Sequence, residues 1–304
     1  MKILVTGSTG LVGNALVSAL VKDRHTVCRL MRPESLVAGG TKDGFNVAWN
    51  PATGELGGAG VGADAVVNLA GASIAGGRWS AGQKAMLGSS RIDTTRALVG
   101  ALAKMNARPR VLVSASAIGI YGNRGDELLT EESKAGAGFL AGLAREWEEE
   151  ALKAESMGIR VVLARFGIIL ARDGGALAKM VTPFKLGVGG KLGSGAQWMS
   201  WVTLEDVVGI LRMAIDKADV RGAVNVVAPK PVQNAEFTKL LASALHRPAL
   251  FPAPAFALRL ALGEMADALL LSSQRVVPLL LERSGYRFLH ASLAPALAAV
   301  LKKN

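Results

Sequence analysis

MKILVTGSTGLVG, residues 1–13, sets an apolar stretch directly against glycines at positions 7, 10 and 13. Lys2–Thr6 reads as a buried strand and Leu11–Lys22 as an amphipathic helix, so the glycines occupy the turn between them. Gly7 permits the tight turn, Gly10 lets the backbone approach a pyrophosphate, and Gly13 lets helix pack on strand. The helix amino end then offers free N–H groups and the positive end of its dipole to phosphates. A lone glycine triplet is weak evidence. Here the strand before it and the helix after it supply the context that a dinucleotide site needs.

Working outward, Val/Ile/Leu-rich runs recur at Thr26–Met31, Ala65–Leu69, Arg110–Ser114, Arg160–Ala164 and Val224–Val227. They are mostly apolar throughout, as strands buried on both faces are. Helical patterns lie between them at Ala81–Lys104, Gly138–Met157 and Leu204–Asp216. That alternation implies an α/β fold: a Rossmann-like, doubly wound parallel sheet. After about Pro229 the character changes. Asn234–Leu245 and Pro254–Leu271 read as helices, followed by Gln274–Leu281 and a last helix near Leu293–Lys302, with no further sheet strand evident. Leu186–Ala196 reads as a glycine-rich loop. The expected division is a nucleotide-binding core of residues 1–172 and 202–228, with a small, mostly helical substrate-side lobe of residues 173–201 and 229–304.

Composition narrows the function classes. Half of the 304 residues are hydrophobic and 19% are charged, which suits a globular chain with a sizeable core. No apolar run reaches the ~18 residues of a membrane span. The formal charge of +11 is scattered, without a long basic run, and aromatics make up only 5%. An anionic small molecule therefore fits better than nucleic acid. The chain enters a strand without a leader, and Cys28 is its only cysteine; together these suggest a cytoplasmic setting. Cys28 itself reads as a small buried hydrophobe. His25, His246 and His290 lack ligand spacing, so no metal is expected. A monomer or homodimer is expected.

Cofactor type is read where Thr26–Met31 ends. An acidic residue there would accept hydrogen bonds from a ribose 2′-hydroxyl. The sequence instead gives Arg29-Leu30-Met31-Arg32-Pro33. Arg32 stands where a guanidinium could clamp a 2′-phosphate, which favours NADP(H) over NAD(H). Arg29 and Arg32 could equally be solvated surface charges.

Thr6–Gly13, Asn68-Leu69-Ala70-Gly71, the Ser114–Gly122 stretch SASAIGIYG and Trp201–Val207 WVTLEDV resemble motifs of the extended short-chain dehydrogenase/reductase and epimerase/dehydratase family. The resemblance covers most of residues 1–228. NLAGASIAGGRWS, SSRIDTTRALV, DGGALAKM and GSGAQWMSW are more specific. They are similar to the atypical YfcH-type epimerase family proteins, whose C-terminal domain has no known function.

The resemblance implies a nicotinamide dinucleotide lying across the carboxyl ends of the strands. The residues expected to hold it are Gly7, Ser8, Thr9, Gly10, Leu11, Val12, Gly13, Arg32, Leu69, Ala70, Gly71, Arg91, Ser114, Gly167 and Ile168. Relatives that oxidise, reduce or epimerise use a Tyr-x-x-x-Lys pair, the tyrosine moving the proton and the lysine lowering its pKa. This chain lacks it: Gly125 follows Tyr121 by four positions, and His290 follows Tyr286. Phe139 or Leu140 stands at the tyrosine's place, and Leu143 or Ala144 at the lysine's.

Substitutes can be named. The family serine is Ser114 or Ser116, with Ser116 preferred. Tyr121 is a candidate proton donor or simply a packed aromatic. Arg91, in place of a family asparagine, is either a cationic anchor for ribose or substrate, or half of a salt bridge. Arg78 and Trp79 belong to a loop at the expected substrate mouth. Lys179, Phe184, Gln197, Trp198 and Trp201 lie in an insertion that in relatives reaches over the substrate, although the tryptophans could instead anchor the lobe. The run Glu146–Glu150 reads as a solvated helix face. The resulting expectation is an oxidoreductase on an unknown small molecule, or else a non-catalytic NADPH-binding structural or sensing protein.

Overall fold

Successive residues of the first strand point to opposite faces of a sheet, and in β1 (Lys2–Thr6) both faces are buried. Ile3 and Val5 join an apolar cluster with Leu16, Val17 and Leu20 of α1 (Leu11–Lys22). Leu4 faces the other way, into a cluster with Leu98 and Leu102. Burial of each such side chain contributes about 2 kcal/mol. The computed structural model describes residues 1–36, 44–60 and 62–302; the last two residues of the expected lobe lie outside them.

The sheet grows outward from β1. Its other strands are β2 (Thr26–Met31), β3 (Phe45–Asn50), β4 (Glu55–Leu56), β5 (Ala65–Asn68), β6 (Val111–Ala117), β7 (Arg160–Phe166) and β8 (Gly222–Val226). They stand in the order β8-β7-β6-β5-β1-β2-β3-β4. All neighbours are parallel except β3 and β4. The order runs outward in both directions from the β1–β5 boundary, the switch point of a doubly wound sheet. α1 and α6 (Leu204–Asp216) cover one face; α3 (Ile92–Ala103) and the end of α4 (Phe139–Leu152) cover the other.

Two strands escaped the sequence reading. β3, FNVAWN, buries Val47 and Trp49 and exposes Phe45, so it carries the alternation of a half-covered strand instead of a continuous apolar run. β4 has only two residues. The expected helix Ala81–Lys104 is broken into α2 (Ala81–Ser89) and α3, with Arg91 at the joint.

Beyond the sheet lie α5 (Gly175–Lys185), α7 (Asn234–Leu245), α8 (Ala255–Leu262), α9 (Leu279–Arg283) and α10 (Leu293–Leu301). Leu177, Val181, Phe184, Trp201, Phe237, Leu241 and Leu297 share a separate apolar cluster. Short strands exist here too, contrary to expectation: Val232–Gln233 pairs with Trp198–Met199, and Arg275–Val276 with Leu128–Leu129. Asp206, in the WVTLEDV motif, fastens the C-terminal segment. Its fully buried carboxylate accepts from the backbone N–H groups of Leu289 and His290 and from the Tyr286 hydroxyl.

Candidate functional site

The glycine loop earns its composition from the backbone around it. Gly7 has φ 63°, and a side chain there would run into the Leu69 carbonyl. A Cβ on Gly13 would run into the Gly7 carbonyl. Gly10 differs: its nearest obstacle would be Gly7 O at 3.3 Å, and it faces a cavity of about 450 Å³. Gly10 is also the N-cap of α1, with no capping side chain and no acidic residue in the first turn. The amino end of α1 thus presents uncapped N–H groups and no competing negative charge to that cavity, as an anion requires.

The cavity runs from this loop to the carboxyl ends of β6 and β7. Of the expected cofactor residues, Gly7, Gly10 and Leu11–Gly13 line one end, Leu69–Gly71 and Arg91 line a side, and Gly167 and Ile168 lie toward the other end. Others do not line it. Ser8 is buried; its backbone carbonyl and hydroxyl each accept from Arg29, both at 3.4 Å. Thr9 faces an adjoining groove on the outer side of the loop. Ser114 is fully buried beneath the cavity floor, within a hydrogen-bonded cluster centred on Asn68.

That cluster sets the floor. Thr6 Oγ1 donates to Asn68 Oδ1 at 2.7 Å and accepts the N–H groups of Leu69 and Ala70. Asn68 Nδ2 donates to Thr95 Oγ1 at 2.8 Å, and Trp147 Nε1 donates to the same hydroxyl at 2.9 Å. β1, β5, α3 and α4 are therefore tied together directly under the glycine loop. Such a buried, satisfied network rigidifies the surface above it.

Arg91 lies under the Gly71 turn. It donates to the carbonyls of Ala72 and Leu87 at 2.9 and 3.3 Å, and its guanidinium stands 5.4 Å from the Trp147 ring centre. Burial pushes its pKa below the usual guanidinium value. Among the described residues its hydrogen bonds go to backbone carbonyls and the Ser90 hydroxyl, and no ion pair is found. The side chain is a desolvated cation aimed along the cavity wall.

Helix α4 forms the wall beyond it. Leu140, Leu143, Ala144 and Trp147 line the cavity, so this wall is largely apolar. Ser116 is the serine that reaches this wall; it is 2% exposed, and its hydroxyl donates to Glu148 Oε1 at 2.6 Å. Arg165 grips the same carboxylate through Nε and Nη2, both at 2.8 Å. Burial alone would lower the Arg165 pKa, but the bonds to Glu148 and Tyr121 carry it well above the ordinary value.

Tyr121 is not placed as a proton donor. It is fully buried and does not line the cavity; its hydroxyl donates to Asn225 Oδ1 at 2.7 Å and accepts from Arg165 Nη1 at 2.9 Å. Burial raises its pKa, Arg165 opposing. The run Glu146–Glu150 is likewise not wholly solvated: Glu148 and Glu150 are 6% and 7% exposed and both are ion-paired. Nothing in a string of acidic residues marks which of them turns inward; the four-residue spacing from Ala144 to Glu148 and from Trp147 to Ala151 was the available signal.

Around the mouth, Trp79 packs edge-on against Phe139 and donates to the Ile74 carbonyl. Lys179 of α5 donates to the Ala75 carbonyl at 2.7 Å, joining the insertion to the 72–80 loop. Arg78 stands beside Gly263. Phe184 and Gln197 are buried away from solvent, and Trp201, fully buried with its indole N–H on the Lys230 carbonyl, is an anchor of the lobe. Trp198 donates to Asp126. Arg32 is largely exposed, 3.8 Å from Glu34, and lies outside the cavity lining; Arg29 is the arginine that reaches the loop. The described residues contain no helix long and apolar enough to cross a membrane, and no group of metal-ligating side chains.

Comparison with known proteins agrees with this geometry. Residues 3–227 match the NAD dependent epimerase/dehydratase family, and residues 253–300 match a domain of unknown function, DUF1731. The epimerase family protein Mb2239 of Mycobacterium bovis is 43% identical over 97% of this chain and 96% of its own. The crystal structure of human epimerase family protein SDR39U1, isoform 2, with NADPH superposes with a TM-score of 0.88 at 31% identity, covering 99% of both chains. The nucleoside-diphosphate sugar epimerase of Corynebacterium glutamicum gives 0.80 at 34% identity, covering 99% of this chain and 58% of that one. The glycine loop, the sheet order around it and these full-length similarities lead to one conclusion: the chain belongs to the NAD dependent epimerase/dehydratase family, on an atypical short-chain dehydrogenase/reductase fold with a C-terminal DUF1731 segment.

Proposed function

We propose that this protein binds NADP(H) and is an oxidoreductase acting on a small molecule with an apolar reacting region, without a Tyr-x-x-x-Lys pair. The supporting observation is the single cavity that joins an uncapped, charge-free helix amino end to a wall made of Leu140, Leu143 and Ala144. When bound, the nicotinamide supplies hydride transfer. The chain's own residues do the rest. Gly10–Gly13 take the diphosphate on backbone N–H groups. Arg91 offers its buried charge along the wall, in place of the absent lysine, as an anchor for ribose or substrate. Arg29 and Arg32 are assigned to the 2′-phosphate, Arg29 being already drawn against Ser8.

The apolar wall limits the chemistry. General acid–base help is typically worth ~10²–10⁴ in rate, so a site without the dyad relies on proximity and on water for protons. Sugar epimerisation, which needs a strong proton acceptor at the wall, does not suit Leu140 and Ala144. The same two residues favour a second reading, an NADPH-holding structural or sensing protein.

One experiment separates the two. NADPH is titrated by fluorescence, then its oxidation is followed over a panel of apolar aldehydes, ketones, imines and quinones. Binding with turnover supports the oxidoreductase; binding and thermal stabilisation without turnover on any compound supports the holding role. Absence of NADPH binding sinks both.

A further inference from the structure

The inference concerns the Ser116 end of the cavity and deepens the reading above, on which its ligand half rests. Glu148 follows Ala144 by one helical turn on α4, so the carboxylate stands directly behind the wall. Arg165 meets it with two charge-assisted N–H donors at 2.8 Å, and both residues are enclosed. The Ser116 hydroxyl, 2.6 Å from Oε1, has one hydrogen, and a carboxylate so held can only accept it. Ser116, a residue of the cavity lining, therefore has lone pairs and no proton left for a ligand. The family serine would ordinarily be taken as a donor to a carbonyl oxygen; in this arrangement two acceptors would face one another.

We propose that Glu148 is a positioning residue that locks Ser116 as an acceptor-only group, so that the ligand atom set against Ser116 is an O–H or N–H donor, an alcohol or amine and not a carbonyl. Arg165 completes the lock. Tyr121 accepts from Arg165 at 2.9 Å from behind and is itself fixed by its 2.7 Å bond to Asn225, which gives a fully buried tyrosine hydroxyl its role. No group transfer is invoked: the device selects what binds and in which orientation.

Glu148→Gln inverts the device with little change of shape. With the amide oxygen kept on Arg165 Nη2, the amide nitrogen takes the place of Oε1 and donates to Ser116, giving up the Arg165 Nε bond. The Ser116 proton is then released toward the cavity. Two measurements test this. Neutron diffraction from deuterated crystals of the nucleotide-free protein locates the Ser116 deuteron. Density between Oγ and Glu148 Oε1 supports the lock; a deuteron pointing into the cavity, or one carried on Glu148, overturns it whatever becomes of the cofactor reading.

The second arm uses protein saturated with NADP(H) and the matched probes 1-phenylethanol and acetophenone, followed by ligand-observed NMR. Wild type is expected to bind the alcohol at least ~10-fold tighter than the ketone, the order of one buried hydrogen bond. Ser116→Ala is expected to remove the preference and Glu148→Gln to reverse it. Equal or stronger ketone binding by wild type, binding of neither probe, or a preference unchanged in Ser116→Ala overturns the ligand half. Ser116→Ala serves where Glu148→Gln fails to fold, since it leaves the Glu148–Arg165 pair intact. Failure of NADPH itself to bind is a separate result, against the cofactor reading.

Discussion

The two ends of the cavity are built on opposite plans. At the glycine loop, recognition is done by backbone: side chains are excluded from Gly7 and Gly13 by neighbouring carbonyls, and α1 begins without a cap. The α4 wall is built from side chains, apolar at Leu140 and Ala144, beside Ser116, whose hydroxyl is backed by a buried ion pair. The first plan binds any diphosphate placed correctly. The second chooses what may react beside it. A family can keep its cofactor and change its chemistry by altering one helix face, because the two ends are built from different elements.

The largest effect expected is at the wall. Glu148→Ala leaves the Arg165 guanidinium buried with only Tyr121 beside it, and should cost about 3–5 kcal/mol in denaturant unfolding. A cost below ~1 kcal/mol would show that this end is not the rigid element described. The matching test at the other end is Gly10→Val. Its side chain enters the space a diphosphate needs, so NADPH affinity should fall ~100-fold or more by fluorescence titration. Its melting temperature should move little, because Gly10 has only the Gly7 carbonyl nearby. Loss of fold in Gly10→Val would break the distinction between a packing glycine and a binding one.

Smaller changes sharpen the contrast. Arg29→Ala with Arg32→Ala should weaken NADPH ~10–100-fold while leaving NADH within a few-fold, since the charge-assisted bonds lost belong to the 2′-phosphate. Equal losses for both nucleotides would move the phosphate clamp elsewhere. The least effect is expected behind the wall, at Glu131. One carboxylate oxygen accepts the Asn225 N–H at 3.0 Å; the other is buried with no partner among the described residues. Burial raises its pKa, so the folded state holds that proton more tightly than the unfolded chain does. This contribution is fully present below the ordinary carboxylate range and is lost as pH rises through the raised value. Relative to wild type, Glu131→Gln should melt at a higher temperature at pH 8 than at pH 4; a difference that does not vary with pH would remove the effect.

Residues 1–13 alone determined the strand, the turn, the helix and the diphosphate end of the site, because backbone recognition needs only local geometry and glycine is its visible requirement. The parallel sheet followed for a similar reason: strands buried on both faces are apolar end to end, and only the half-covered β3 and the two-residue β4 escaped. That the sequence holds no Tyr-x-x-x-Lys was equally legible, since it is a fact of composition at a fixed spacing. What only tertiary structure decided is which polar groups face the cavity. Ser116 rather than Ser114 reaches it, Arg29 rather than Arg32 meets the loop, Tyr121 is sealed behind Arg165, and Glu148 turns inward from a run of like charges. Each of those outcomes depends on a partner between 17 and 44 residues away or on which side of a strand is covered. An ionised side chain goes where its counter-charge lies, and that location is set by the fold.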